Sequence, residues 1–147
     1  DDVGDEAPAH GFEEELRAQE PAAAVEQRFD ADQTYRYAEA SGDPMQIHLD
    51  DAFAKSVGLP GIIIHGLCTM AFTSVGAIQS FCPDDPTRLR RLAVRFASIA
   101  LPEQVITTRY WRAAGRDGRE CYAYETTSDA DAVVIKDGWA EVAEAGT

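Results

Sequence analysis

The sequence predicts an α+β domain in which a curved antiparallel sheet wraps around one long buried helix. Three observations carry this. Residues 66–81 are apolar on every face (Leu67, Cys68, Met70, Ala71, Phe72, Val75, Ala77, Ile78 and Phe81). A helix of that kind must be surrounded by protein. After Pro83 and Pro86 the apolar period drops to two, with Leu92, Val94 and Phe96 alternating with Ala93, Arg95 and Ala97. Four antiparallel-looking strands then follow, and a sheet curved around the helix satisfies both halves of the pattern.

Each element has its own local signal. Ala24 to Phe29 reads as a short first strand. Asp30 or Asp32 caps a helix running through Tyr35, Tyr37 and Ala38, which Ser41-Gly42-Asp43-Pro44 breaks. Met45 to Leu49 is irregular, and a short helical segment spans Asp51 to Val57. Gly58-Leu59-Pro60-Gly61 is a turn before the long helix. Beyond the first alternating strand, Val105 to Trp111 is rich in β-branched and aromatic residues. Arg116-Asp117-Gly118 turns into Glu120–Thr127, and Asp129–Asp131 turns into Val133–Val142, where Gly138 marks a bulge.

The 147 residues fit one domain, and 45% hydrophobic content supports a core. The formal charge of −13 is unevenly spread. Residues 1–32 hold 11 acidic and 2 basic side chains, the remainder 15 and 11. Residues 1–24 read as an acidic arm or linker, with one short helix between Gly11 and Gln19, and residues 25–147 as the folded domain. Such a charge excludes nucleic-acid binding by phosphate neutralisation and disfavours anionic membranes. No apolar run reaches the ~18 residues of a membrane span, and no basic, apolar signal peptide stands at the start. The first residue is Asp1, so a processed, trimmed or longer protein is expected. Cys68, Cys82 and Cys121 lack CxxC spacing and read as reduced thiols of a cytoplasmic protein.

The chemistry concentrates in residues 37–67. Asp43 and His48 lie five apart, with Gly42 and Pro44 forcing a non-helical path. Such a path lets both side chains converge on one water, one group deprotonating it and the other relaying the proton. An Asp capping a turn and a His filling a gap is the alternative on spacing alone. Gly66 opens the long helix, where free N–H groups and the helix dipole favour negative charge and a substrate carbonyl can approach the backbone. That suits an enolate oxygen. Ser74, two turns further on, either contacts substrate or bonds back to a helix carbonyl. Cys68 and His65 form a weaker nucleophile candidate. His48, Asp50 and Asp51 have no supporting third ligand cluster, so no metal is expected. Arg88, Arg90, Arg91 and Arg95 form a basic cluster able to hold phosphates, or a solvated stretch.

Together, Ser41-Gly42-Asp43 through Ile47-His48-Leu49-Asp50, followed by Ile63-Ile64-His65-Gly66-Leu67, resemble the MaoC-like (R)-specific enoyl-CoA hydratases of the hotdog fold. The likeness runs over residues 28–147 and is greatest to the C-terminal catalytic half of hydratase 2. The resemblance implies that Asp43 and His48 are the catalytic dyad and that the Gly66 N–H binds the thioester oxygen. It places Ser74, His65 and Ala77 at the substrate, with the small Ala77 favouring a longer or bulkier acyl group. Arg88, Arg90 and Arg91 would meet the CoA phosphates. Two departures stand out. The family's Asn-Pro pair is Met45-Gln46 here, with Gln46 a substitute amide, and the V-x-P-G turn reads Ala100-Leu101-Pro102-Glu103.

The expected function is hydration of a trans-2-enoyl-CoA to an (R)-3-hydroxyacyl-CoA, or the reverse, without a cofactor. The expected partner is a second hotdog domain, from a homodimer, a non-catalytic chain or the same polypeptide. The alternatives are a catalytically reduced subunit that binds acyl-CoA and supports a partner, a 3-hydroxyacyl-ACP dehydratase, and a hotdog thioesterase.

Overall fold

The computed structural model describes residues 12–144 of the chain. Its strands are β1 (Ala23–Arg28), β2 (Leu89–Phe96), β3 (Val105–Arg116), β4 (Arg119–Ser128) and β5 (Val133–Ala143). Its α-helices are α1 (Gln33–Ser41), α2 (Asp51–Ser56) and α3 (Gly66–Phe81). The strands form one antiparallel sheet in the order β1-β3-β4-β5-β2. Helix α3 lies in its concave face, which is the hotdog arrangement.

Tyr110, Tyr122, Tyr124, Ile135, Ala140 and Val142 point inward and pack with Ala77 and Cys82 at the end of α3. Alternate residues of the same strands point outward, as the two-residue period requires. The helix is fastened to the sheet by polar contacts. The Tyr110 hydroxyl donates to the Thr73 carbonyl (2.6 Å), and the Thr73 hydroxyl lies 3.4 Å from that of Tyr124. Gly76 permits this approach, since a Cβ there would stand 2.8 Å from the Tyr110 oxygen.

The outward face is covered in part by residues 12–19. They fold into a short 3-10 helix, Glu14–Ala18. Phe12 and Leu16 pack on Trp111, Cys121, Ala123 and Trp139. Arg17 donates from Nε and Nη2 to Glu125 Oε2, with Oε1 3.4 Å from Nε, and the Trp111 indole donates to the Gln19 carbonyl (3.1 Å). The predicted short helix thus exists in part as a clamped segment; Gly11 and the residues before it lie outside the described residues.

Two local expectations are corrected. Helix α3 is not enclosed on all sides: Leu67 is 61% exposed, Val75 43%, and Ala71 between them is also exposed. These positions recur every four residues, so one stripe of α3 faces away from the sheet. The bulge in β5 is at Asp137, with φ of 51°, where the register to β4 and to β2 shifts. Its neighbour Gly138 has another cause, since a Cβ there would fall 2.6 Å from the Tyr124 ring.

Candidate active site

Three segments meet at the N-terminus of α3. Gly42, in the left-handed conformation (φ 72°), caps α1 and turns the chain toward Asp43. A 3-10 turn, Gln46–His48, then carries His48 inward. Two backbone bonds pin that turn and the approach to α3: Ile63 N–H donates to Ile47 O (3.1 Å), and Ile64 N–H donates to Ala100 O (2.8 Å). Asp50 caps α2 by accepting from Phe53 N–H (2.9 Å), which fixes the downstream end.

Within this frame His48 is buried and its Nδ1–H donates to the Ile63 carbonyl (2.7 Å). A carbonyl only accepts, so the neutral ring carries its lone pair at Nε2. His65 is also buried. Its Nε2–H donates to the Asp43 backbone carbonyl (3.1 Å), and its ring stacks on His48 with centroids 3.7 Å apart and planes at 22°. Burial pushes the His65 pKa below the ordinary histidine value, with His48 adding to the effect. Asp43 is half-buried, and Met45 N–H donates to its Oδ1 (3.3 Å). One donor atom from each of Asp43, His48 and His65 lies within 4.8 Å of the others.

A chamber of about 370 Å³ opens here, lined by Tyr37, Ser41, Asp43, His48, His65, Gly66, Leu67 and Phe96. A second, of about 340 Å³, shares His48, Gly66 and Phe96 but is otherwise mostly apolar, with Ile63, Ile64, Ile99 and Val134 in its wall. Gly66 is the first residue of α3, so its N–H has no partner within the helix. A Cβ there would stand 3.2 Å from the Phe96 ring. The arrangement can hold a water between a carboxylate and an imidazole while a backbone donor receives an oxygen beside them. It suits a metal poorly. The two imidazoles are stacked, and stacked rings do not converge their lone pairs on one ion.

The structure brings Asp43, His48, His65 and Gly66 together and leaves the other sequence candidates apart. The Ser74 hydroxyl donates to the Ala71 carbonyl (2.7 Å), and Ser74 lines neither chamber. Ala77 is fully buried in the tyrosine core instead of lining a chamber. Gln46 is exposed and absent from both walls, so it does not supply the missing amide. Arg88 and Arg91 are bound to the Ala143 carbonyl and to Glu141. With exposed Arg90 they sit at the start of β2, the far end of α3 from Gly66. Cys68 is buried, and burial raises its thiol to about 11, which argues against a nucleophile. Sequence reasoning missed Tyr37 and Phe96 as wall residues. Phe96 reads as one more alternating core residue, and only its 48% exposure separates it from one.

Comparison with known proteins places the chain among related sequences and folds. The chain is 33% identical over 101 residues to "Enoyl-CoA hydratase 2, peroxisomal" of Arabidopsis thaliana, covering 69% of this chain and 32% of that protein. It is 32% identical over 105 residues to "Peroxisomal multifunctional enzyme type 2" of Mus musculus, covering 71% and 14%. The crystal structure of a MaoC-like dehydratase from Phytophthora capsici superposes with a TM-score of 0.85 at 28% identity, over 97% of this chain and 48% of that one. The chain therefore spans about a third or less of the curated relatives named here. The model of the MaoC-like domain matches residues 13–134, and the chain belongs to that family.

Proposed function

We propose that the chain catalyses hydration of a trans-2-enoyl-CoA to an (R)-3-hydroxyacyl-CoA, and its reversal. The observation that carries this is the meeting of Asp43, His48 and the Gly66 N–H around one chamber. A water held by the Asp43 carboxylate and His48 Nε2 adds its oxygen to C3. Its proton is delivered to C2 on the same face, so the water is consumed whole. The thioester oxygen gains charge as C3 is attacked, and the helix N-terminus at Gly66 stabilises it. The thioester itself activates C2 and C3, so the reading asks for no cofactor. The buried, unpaired Cys68, Cys82 and Cys121 fit a reducing compartment such as the cytoplasm.

A second hotdog domain completes the reading. The exposed Leu67, Ala71 and Val75 stripe begins beside the chamber, and its burial would close one wall. Family proteins longer than this chain support a second domain in the same polypeptide, and a homodimer or a non-catalytic partner chain serves the same geometry. The test is steady-state hydration of crotonyl-CoA and longer enoyl-CoAs, with a chiral assay of the product. An (R)-3-hydroxyacyl product supports the proposal; absence of hydration across the panel, with tight enoyl-CoA binding, assigns the chain to a supporting subunit.

A further inference from the structure

We infer that His65 is a positioning residue that holds the carboxylate, the imidazole and the backbone donor of the site in one geometry, acting through them and not by a bond of its own to substrate. The inference rests on the hydratase reading above. His65 was expected at the substrate, but it is 2% exposed. Neither ring nitrogen is exposed. Nε2 is committed to the Asp43 carbonyl, and Nδ1 is buried without a partner among the described residues.

What the side chain does instead is join three elements. The bond to Asp43 O anchors the loop that carries the carboxylate. The ring stacks on His48, with centroids 3.7 Å apart, and blocks that imidazole from tilting toward it. The bond from His48 Nδ1 to Ile63 O fixes the rotation of the same ring. The Tyr37 ring also packs against His65, with centroids 4.9 Å apart and planes at 51°. Finally, the His65 carbonyl accepts Thr69 N–H (3.1 Å), making this residue the N-cap of α3, and Gly66 follows it directly. A shift of His65 moves all three reacting partners at once.

Neutrality is part of this role. A proton on His65 would place a cation face to face with His48, against the imidazolium that proton abstraction from water creates. Burial holds His65 neutral, and the unpartnered Nδ1 is the cost of a site that accepts no second proton there.

The test compares His65→Gln, His65→Phe and His65→Ala in the full-length protein. Gln keeps a donor at the Nε2 position, Phe keeps the flat plate behind His48, and Ala keeps neither. The expected result with crotonyl-CoA is a loss in kcat of about tenfold for Gln and for Phe and about 10²-fold for Ala, with KM held within about threefold. Equilibrium binding of butyryl-CoA at wild-type strength confirms the fold of each variant. Should His65→Ala fail to fold, the two volume-preserving variants decide: a fall in kcat with KM held supports the inference. It is overturned if KM rises while kcat holds, if neither changes, or if Gln and Phe are no better than Ala. Wild-type turnover with unaffected variants overturns the inference alone; no wild-type turnover overturns the hydratase reading and the inference with it.

Discussion

At the scale of residues, the proposed chemistry rests on two side chains, Asp43 and His48, that lie five apart in sequence and that backbone bonds orient. Asp43→Asn removes the carboxylate charge while keeping shape, and His48→Ala removes the Nε2 lone pair. Each is expected to cut kcat for crotonyl-CoA by at least ~10²-fold, measured by loss of enoyl absorbance in steady state. Gly66→Ala places a methyl 3.2 Å from the Phe96 ring and intrudes on the oxygen site; a rise in KM together with a fall in kcat is expected. Asp43, His48 and Gly66 were legible because the motif keeps them at fixed offsets along one stretch of chain. His65 was legible as a site residue, and the inference above gives it a positioning role. A sequence shows that a histidine precedes a helix-start glycine, whereas its direction depends on Tyr37 and His48, which arrive from other elements. Ser74 followed the commoner course of hydroxyls in helices, bonding to the carbonyl three residues back.

At the scale of elements, the turns show how this chain replaces family glycine. Glu103 stands where the family turn has glycine and adopts φ of 67°. A left-handed non-glycine residue costs roughly 1–2 kcal/mol, and glycine gives back part of that through the flexibility of the unfolded chain. Glu103→Gly is therefore expected to stabilise the fold by about 0.5–1 kcal/mol and to raise the melting temperature by about 2 °C, measured by calorimetry. The cap of α2 is a second case. Asp50→Ala removes the bond to Phe53 N–H, and a loss of about 1 kcal/mol in urea unfolding is expected. The long helix and β2 were readable from their apolar patterns and β3 from its β-branched and aromatic content, whereas the strand order, with β2 beside β5, depends on pairing across the sheet. The origin of Gly138 was not, since its reason is a ring on the neighbouring strand.

At the scale of the whole molecule, the two faces of the sheet have opposite characters. The concave face is a tyrosine and aliphatic core; the convex face buries Glu125 and Glu141 under the N-terminal segment and a set of arginines. Burial opposes ionisation of Glu141, but Arg119, the Trp139 indole and Arg91 outweigh it and hold the carboxyl below its ordinary range. A group depressed in the folded state stabilises above its unfolded pKa, near 4.5, and loses that contribution as pH falls through the folded value. The gap in urea midpoint between wild type and Glu141→Gln is expected to be widest at pH 6–7 and to close toward pH 3. The charge total does not describe the folded domain: much of the −13 belongs to residues 1–32, and the rest of the chain is only mildly acidic. The exposed stripe on α3 was illegible for a related reason, because an apolar run states what must be covered and not which chain covers it. The three thiols offer a practical consequence. Cys68, Cys82 and Cys121 are all enclosed, and burial raises the pKa of each. The native protein should be silent toward disulfide-exchange dyes, so a colorimetric trace recorded during turnover would report liberated CoA alone. Hydration leaves that trace flat and thioester cleavage makes it climb, which turns the protein's own chemical quietness into the background against which the two reactions are told apart.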